Sequence, residues 1–308
     1  MMAEILGIDF SRYQYLWNED TGEMLRTMNF EVAAAAGARF AAGRVTLGES
    51  MDYAFDYRGT YCSLKACQAA GIPTTGYHVI WPSLTVDRQM SAFFRALDKQ
   101  SFREDFAVWL DCERSDRQSV STQTRVIAGA IEWFWKRRGY FPDIYTNVGY
   151  WDTNTVHDPI FDQCQLIVAN YTTAKTPLVP REWKKLGGLV KQWKIWQFSA
   201  DGNGLGAKYG AASRSIDLNR LNGGEPEYRA MLFSEPPVPV EPEPQPPPAE
   251  VQQVRVRASG LRVRSAPVIA NETIRFVASK GQTFEVERTE GDWAQVKLWM
   301  HRDYLDEI

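Results

Sequence analysis

Short apolar runs alternate with amphipathic stretches through most of this chain, and that alternation limits the fold more than any other feature. The runs are Ile5–Phe10, Arg39–Thr46, Thr74–Val79, Phe106–Asp111, Asp143–Asn147, Leu166–Ala169, Ile195–Phe198 and Ser215–Leu218. Their length and flanking turn residues suit strands rather than helices. Segments of helical period lie between the early runs, at Glu31–Gly37, Tyr57–Gly71, Val86–Asp98 and Ser121–Gly139. In the last of these, Val126, Ile127, Ala130, Ile131, Phe134 and Trp135 fall on one stripe. Strand–helix–strand order implies parallel strands with crossover helices. About eight strands in roughly 230 residues predict an α/β fold, an irregular TIM-like (β/α) barrel. Helices thin out after Gly139, which predicts loop connections and a partly antiparallel closure.

A break follows at Ser234–Glu250, which holds eight of the 16 prolines and four glutamates. Such a run lacks backbone donors and favours an extended, solvated spacer. Beyond it the period changes to two. Val254–Arg257, Leu261–Arg264, Thr283–Glu287 and Trp293–Lys297 alternate apolar with polar residues, and turns fall at Ser259-Gly260, Lys280-Gly281 and Glu290-Gly291-Asp292. The expected organisation is a barrel domain over residues 1–233, a Pro/Glu-rich linker over 234–250 and a small all-β barrel domain over 251–308.

Charge excludes one class of partner. Residues 1–234 carry 26 basic and 26 acidic side chains, and residues 251–308 carry 9 and 8. No segment has the basic excess of a nucleic-acid binder. The four cysteines, Cys62, Cys67, Cys112 and Cys164, form no CxxC, and there are only three histidines. That argues against a zinc site, and no metal or cofactor is expected. Scattered cysteines also suit folding in a reducing compartment. The opening Met1–Phe10 has no basic region followed by an apolar stretch, and no run of about 18 apolar residues occurs. The expectation is a monomer made in a cytoplasm, without membrane partner. Aromatic residues make up 13% of the chain; most such rings serve as core, and some suit sugar faces.

Acidic residues recur at strand ends. Asp9 closes the first run, Asp111 and Glu113 follow Phe106–Leu110, and Asp217 lies in the last run. In a parallel barrel those ends share one rim, where active sites sit. Asp111 and Glu113, two apart on an extended chain, point to one side. Two carboxyls so placed cannot both ionise cheaply, so one is kept protonated, as general acid catalysis of glycoside hydrolysis requires. Acids at strand ends also cap helices or pair with arginines, so spacing alone leaves both readings open. Four carboxylates from distant positions weigh towards chemistry.

The motifs that carry these acids resemble those of glycoside hydrolase family 25, the Chalaropsis-type lysozymes. They are Gly7-Ile-Asp-Phe-Ser11 with Gln14, Gly76-Tyr-His-Val79, Trp109-Leu-Asp-Cys-Glu113, Ile144-Tyr-Thr-Asn147 with Tyr150-Trp151, Trp196-Gln-Phe-Ser199 and Asp217-Leu-Asn219. They fall in family order over residues 5–223. The sequence departs from the pattern at Leu166–Tyr171, which lacks a Trp, and at Val79, where an aromatic is usual. The resemblance implies a muramidase that cleaves the β-1,4 bond between N-acetylmuramic acid and N-acetylglucosamine in bacterial peptidoglycan. It implies Glu113 as general acid/base, Asp111 as partner of the substrate acetamido group or of the developing positive charge, and Asp9 and Asp217 as tuning and sugar-binding groups. Tyr77, Tyr145, Trp151, Tyr171, Trp196 and Gln197, with Asn219, would line the cleft. His78 reads either as a packed, hydrogen-bonded rim residue or as a substrate contact. Net retention with the acetamide as internal nucleophile is expected; inversion with Asp217 or Asp9 activating water is the alternative.

The last domain resembles the bacterial Src-homology-three-like domains of wall hydrolases, through Leu261–Pro267, Gly281–Phe284, Gly291-Asp-Trp293 and Tyr304-Leu305. Leu298-Trp-Met-His301 stands where a Gly-Trp is usual. Wall binding is the implied role, against a structural or dimerising one. The whole reads as a phage-type endolysin that reaches the wall after release, with a bacterial autolysin or a non-catalytic glycan-binding or structural virion module as alternatives.

Overall fold

The computed structural model describes residues 4–185, 193–200 and 204–234, and towards the C-terminus 253–256, 261–264, 274–285, 288–290, 293–295, 299–301 and 305–307. The chain divides into two compact units, Met1–Val240 and Glu241–Ile308. Most of the expected linker, from Glu235 on, lies outside the described residues.

In the first unit, eight strands close into a barrel: β1 Leu6–Phe10, β2 Ala38–Leu47, β3 Thr74–Val79, β4 Trp109–Asp111, β5 Asp143–Asn147, β6 Leu166–Ala169, β7 Ile195–Ser199 and β8 Asp217–Leu221. Neighbours from β1 to β7 pair in parallel, as the alternation predicts. β8 runs the other way and pairs antiparallel with both β7 and β1. Its register sets Asp217 opposite Asp9 and Arg220 opposite Leu6. Reversal therefore brings the first residue of β8 to the rim where the other strands end. The last run extends to Leu221 rather than stopping at Leu218, so Asp217 reaches that rim as a strand start.

The helices are α1 Phe30–Ala35, α2 Ser63–Ala69, α3 Val86–Gln100, α4 Val120–Arg138, α5 Val148–Asn154, α6 Arg181–Lys185 and α7 Glu225–Met231. Side-chain caps fix several starts: Asn29 accepts from Val32 N for α1, Thr85 from Arg88 N for α3 and Ser119 from Thr122 N for α4. Gly139, at φ 74°, ends α4. Two expectations fail locally. The helix expected from Tyr57 begins only at Ser63, because Asp56 accepts from Gly59 N and Arg58 adopts φ 52°, which makes a turn instead. Trp135, expected on the buried stripe of α4, is exposed and stacks on Phe141 with centroids 5.7 Å apart.

Period-two alternation sorts the strand side chains. Ile8 and Phe10 face the α1–α2 side, and Leu110, Ile144, Leu166 and Val168 face the layer under α3 and α4. The opposite residues, among them Phe40, Ala42, Trp109, Tyr145, Ile167 and Ile195, fill the barrel interior. Gly7 admits the Phe40 ring and Gly43 the Phe10 ring, where a β-carbon would collide. All four cysteines are buried and unpaired with one another.

In the second unit, described strands form a three-stranded sheet around Gln253–Val256 and a five-stranded sheet that contains Leu261–Arg264, Ile274–Ala278 and Trp293–Gln295. The described strands of both sheets pair antiparallel, and Gly281 takes φ 91° at the expected turn. No described helix is long and apolar enough to cross a membrane.

Candidate active site

One end of the barrel interior is not filled. Inward residues there leave a pocket of about 250 Å3, and Asp9, Asp111, Glu113 and Asp217 all line it. The four acids thus converge from β1, β4, the turn after β4 and β8. Arg44, Tyr77, Trp109, Tyr145 and Gln197 share the wall, and Tyr13 and Tyr171 stand at its edge, 66% and 58% exposed.

Asp9 is the best-held carboxylate. Its Oδ2 accepts from Gln197 Nε2 at 2.9 Å and from Asn219 Nδ2 at 2.8 Å, and it shares a hydrogen bond with Asp217. Burial raises the Asp9 pKa, and the amide donors partly offset that rise. Gln197 is itself fixed, because its Oε1 accepts from Tyr145 at 3.0 Å and from Tyr171 at 2.7 Å.

Asp111 differs. It is buried, and its Oδ1 has no hydrogen-bond partner among the described residues. Burial lifts its pKa well above the ordinary 3.8, the Glu113 and Asp9 charges add to the rise, and Arg44 and Arg114 oppose it. An orphaned carboxyl oxygen inside a pocket is costly unless a ligand supplies its partner.

Glu113 sits at the open mouth, two residues past Asp111. Partial desolvation raises its pKa, Asn147 lowers it, and the Asp9 charge raises it further. Asn147 Oδ1 caps α5 by accepting from Tyr150 N at 2.8 Å, which aims its Nδ2 at Glu113 Oε2, 3.5 Å away. The mouth therefore carries an acid inclined to hold its proton, in front of a second acid that resists ionisation. That is the equipment for protonating a leaving oxygen.

Three expected cleft residues lie elsewhere. Trp196 precedes Gln197 on β7, so when Gln197 points in, Trp196 must point out; it is buried under the outer layer, and its Nε1 donates to Asn170 O at 2.7 Å. Trp151 is buried on α5 against Phe161 and Trp183 and donates to Glu182 at 3.2 Å. Asn219 is fully buried and supports Asp9 from within the barrel. His78 faces outward: Thr46 Oγ1 lies 2.7 Å from Nδ1 and Gln89 Oε1 3.2 Å from Nε2, which favours the packed reading.

The sequence also hid several wall residues. Ser11 N-caps a short turn over Arg12–Gln14 and thereby sets Tyr13 beside the pocket. Arg44 follows Ala42 by two on β2, which was a usable signal. Asp52, whose Oδ2 holds Arg44 Nε at 2.7 Å, had none. Among the described residues, no group of three or more His, Cys, Asp or Glu could hold a metal ion.

A family model described as glycosyl hydrolases family 25 matches residues 8–207. The solved structures similar to this chain include a family 25 lysozyme from Aspergillus fumigatus, 22% identical, which covers 74% of this chain and 99% of its own, with a TM-score of 0.55. A family 25 glycosyl hydrolase from Bacillus anthracis is 19% identical, covers 75% and 94%, and has a TM-score of 0.57. The catalytic domain of an endolysin from a Listeria monocytogenes bacteriophage is 19% identical, covers 75% and 97%, and has a TM-score of 0.50. At these identities the likeness is one of fold. Comparison with curated protein sequences finds no match.

Proposed function

The chain belongs to glycosyl hydrolase family 25 and is thus a glycoside hydrolase, and we propose that it is a muramidase that cuts the β-1,4 bond between N-acetylmuramic acid and N-acetylglucosamine in bacterial peptidoglycan. The observation that carries this reading is the placement of Glu113 at the pocket mouth, directly before the buried Asp111 with its unpartnered oxygen.

Glu113 gives its proton to the glycosidic oxygen as that bond breaks. The carbonyl oxygen of the substrate 2-acetamido group attacks the anomeric carbon from the other face and forms a cyclic oxazolinium ion. Asp111 accepts the acetamide N–H, which satisfies its orphaned oxygen and orients the group for attack. Water then attacks the anomeric carbon and loses its proton to the Glu113 carboxylate. Two inversions give net retention, by a substrate-assisted route that departs from the two-carboxylate rule. Asp9 and Asp217 tune Asp111, while Tyr77, Tyr145, Tyr171 and Gln197 hold sugar.

Digestion of purified wall tests the reaction: N-acetylmuramic acid is the expected new reducing end. A new N-acetylglucosamine end overturns the bond assignment, and no new end at all leaves a binding module. Proton NMR is expected to show the β anomer first, and an α product overturns retention. Glu113→Gln is expected to lower turnover by at least ~100-fold with the fold unchanged.

The second unit, by the same proposal, binds wall as a small Src-homology-three-like barrel and raises the local substrate concentration. We also propose endolysin-type use, with the enzyme made inside a cell and admitted to the wall on release. Four unpaired thiols support folding in a reducing compartment. Cells that express the chain are expected to keep their walls until the membrane is permeabilised; lysis without permeabilisation overturns this.

A further inference from the structure

A second cavity, of about 430 Å3, adjoins the carboxylate pocket. Its walls come from a small hairpin, Leu16–Asn18 paired with Glu23–Arg26, from the Tyr53–Arg58 loop and from Arg12. None of these belongs to the barrel strands.

Its lining is built. Trp17 meets Tyr53 and Tyr57 edge-on, with centroids 6.5 and 5.9 Å apart. Trp17 Nε1 donates to Arg12 O at 2.7 Å, and Tyr57 OH accepts from Met24 N at 3.2 Å, so the polar ends of two rings are fixed. The Arg12 guanidinium lies 5.7 Å from the Tyr13 ring and 5.6 Å from the Tyr53 ring. Its Nε is buried and lacks a hydrogen-bond partner among the described residues. Tyr53, meanwhile, keeps 62% of its surface exposed.

Rigid aromatic faces open to solvent, beside a donor without an acceptor, suit a ring with one apolar face and polar substituents at its edge. A pyranose is such a ring. An acidic peptide fits less well, because Glu19 and Asp56 stand on the same wall, and Asp56 already has Lys99 at 2.6 Å. The two cavities are also neighbours, walled by successive residues of one short segment. Within one turn, Ser11 and Tyr13 line the carboxylate pocket while Arg12 lines the second. The Asp52 carboxylate grips both walls, taking Arg12 N at 3.3 Å and Arg44 Nε at 2.7 Å.

We propose that the hairpin cavity is an outlying saccharide subsite, which holds the same glycan strand some sugars away from the bond that is cut. This rests on the glycan-cleaving reading above. Arg12 donates to a sugar oxygen, Tyr53 and Trp17 cover the sugar face, and long strands bind better than short ones.

The test is calorimetric titration of the full-length Glu113→Gln chain with a disaccharide and a hexasaccharide of alternating N-acetylglucosamine and N-acetylmuramic acid, both without peptide. The hexasaccharide is expected to bind roughly tenfold tighter. In the Glu113→Gln, Tyr53→Ala double variant that ratio is expected to collapse, and Tyr53→Phe is expected to keep it, because the ring remains. An unchanged ratio with Tyr53→Ala overturns the proposal, as does a length advantage that appears only with peptide-bearing fragments. The readout needs no hydrolysis. Failure of the wild-type chain to release reducing ends would remove the muramidase reading, whereas this subsite stands or falls on the two affinities.

Discussion

Asp52 and Arg44 form an ion pair of 2.7 Å in which the carboxylate side chain is wholly buried and the guanidinium nearly so. Asp52 also accepts from Ala54 N at 2.9 Å and so anchors the loop after β2. Without it, Arg44 would stand uncompensated in the pocket wall. Asp52→Ala is expected to cost about 3–5 kcal/mol, the usual penalty for orphaning one partner of a buried pair. Chemical denaturation checks this; a loss below about 1 kcal/mol would mean that Arg44 finds solvent instead.

Asp111→Asn should stabilise the protein at neutral pH while it removes activity. Burial raises the Asp111 pKa well above the ordinary 3.8, so the folded chain holds a proton that the unfolded chain releases. Stability from this group is complete below 3.8 and is lost as pH rises through the folded value. Asparagine does not titrate and escapes that loss. Denaturation at pH 7 should show the variant ahead, and the gap should close towards pH 4. A gap that does not depend on pH would refute the ionisation argument.

His78 gives the opposite trend. Burial lowers its pKa from 6.5 to about 4, with Gln89 a smaller opposing influence. The unfolded chain therefore takes up a proton that the folded chain refuses, so stability present above 6.5 is lost as pH falls towards 4, by roughly 3 kcal/mol at most. His78→Gln lacks this term. Measured from pH 7 down to pH 4, the variant should lose less stability than wild type, although it starts lower for want of the Thr46 contact. Equal losses would show that His78 is protonated in the fold.

Removal of residues 241–308 should separate binding from chemistry. The truncated barrel is expected to turn over soluble glycan fragments as the full chain does, and to clear suspended wall several-fold more slowly, because tethering raises local concentration. Turbidity and reducing-end assays on the same samples provide the comparison. Equal clearing by both chains would leave the second unit without a wall-binding role.

Much of the barrel was legible because strands and helices carry different periods. β3, β5 and β6 fall on the expected runs, and α3 and α4 on the expected stripes to within two residues. The direction of β8 was harder to read: a five-residue strand has the same pattern in either direction. Its reversal nonetheless explains how Asp217 meets Asp9. Motif spacing marked the acids, yet motif membership misplaced Trp196 and Trp151, whose side chains the strand alternation and helix packing turn outward. A residue whose role is to hold another residue, such as Asp52 for Arg44, left little trace. Such a role depends on a partner brought near only by the fold.

The join between β1 and β8 fixes when this catalyst can come into being. Asp9 and Asn219, hydrogen-bonded at 2.8 Å, lie 210 positions apart. A growing polypeptide passes through nearly the entire barrel before its first strand acquires its second neighbour, and contacts of such sequence separation form slowly. No shorter nascent fragment owns a complete set of acids. Hydrolytic power thus arrives only once the final strand has joined the first.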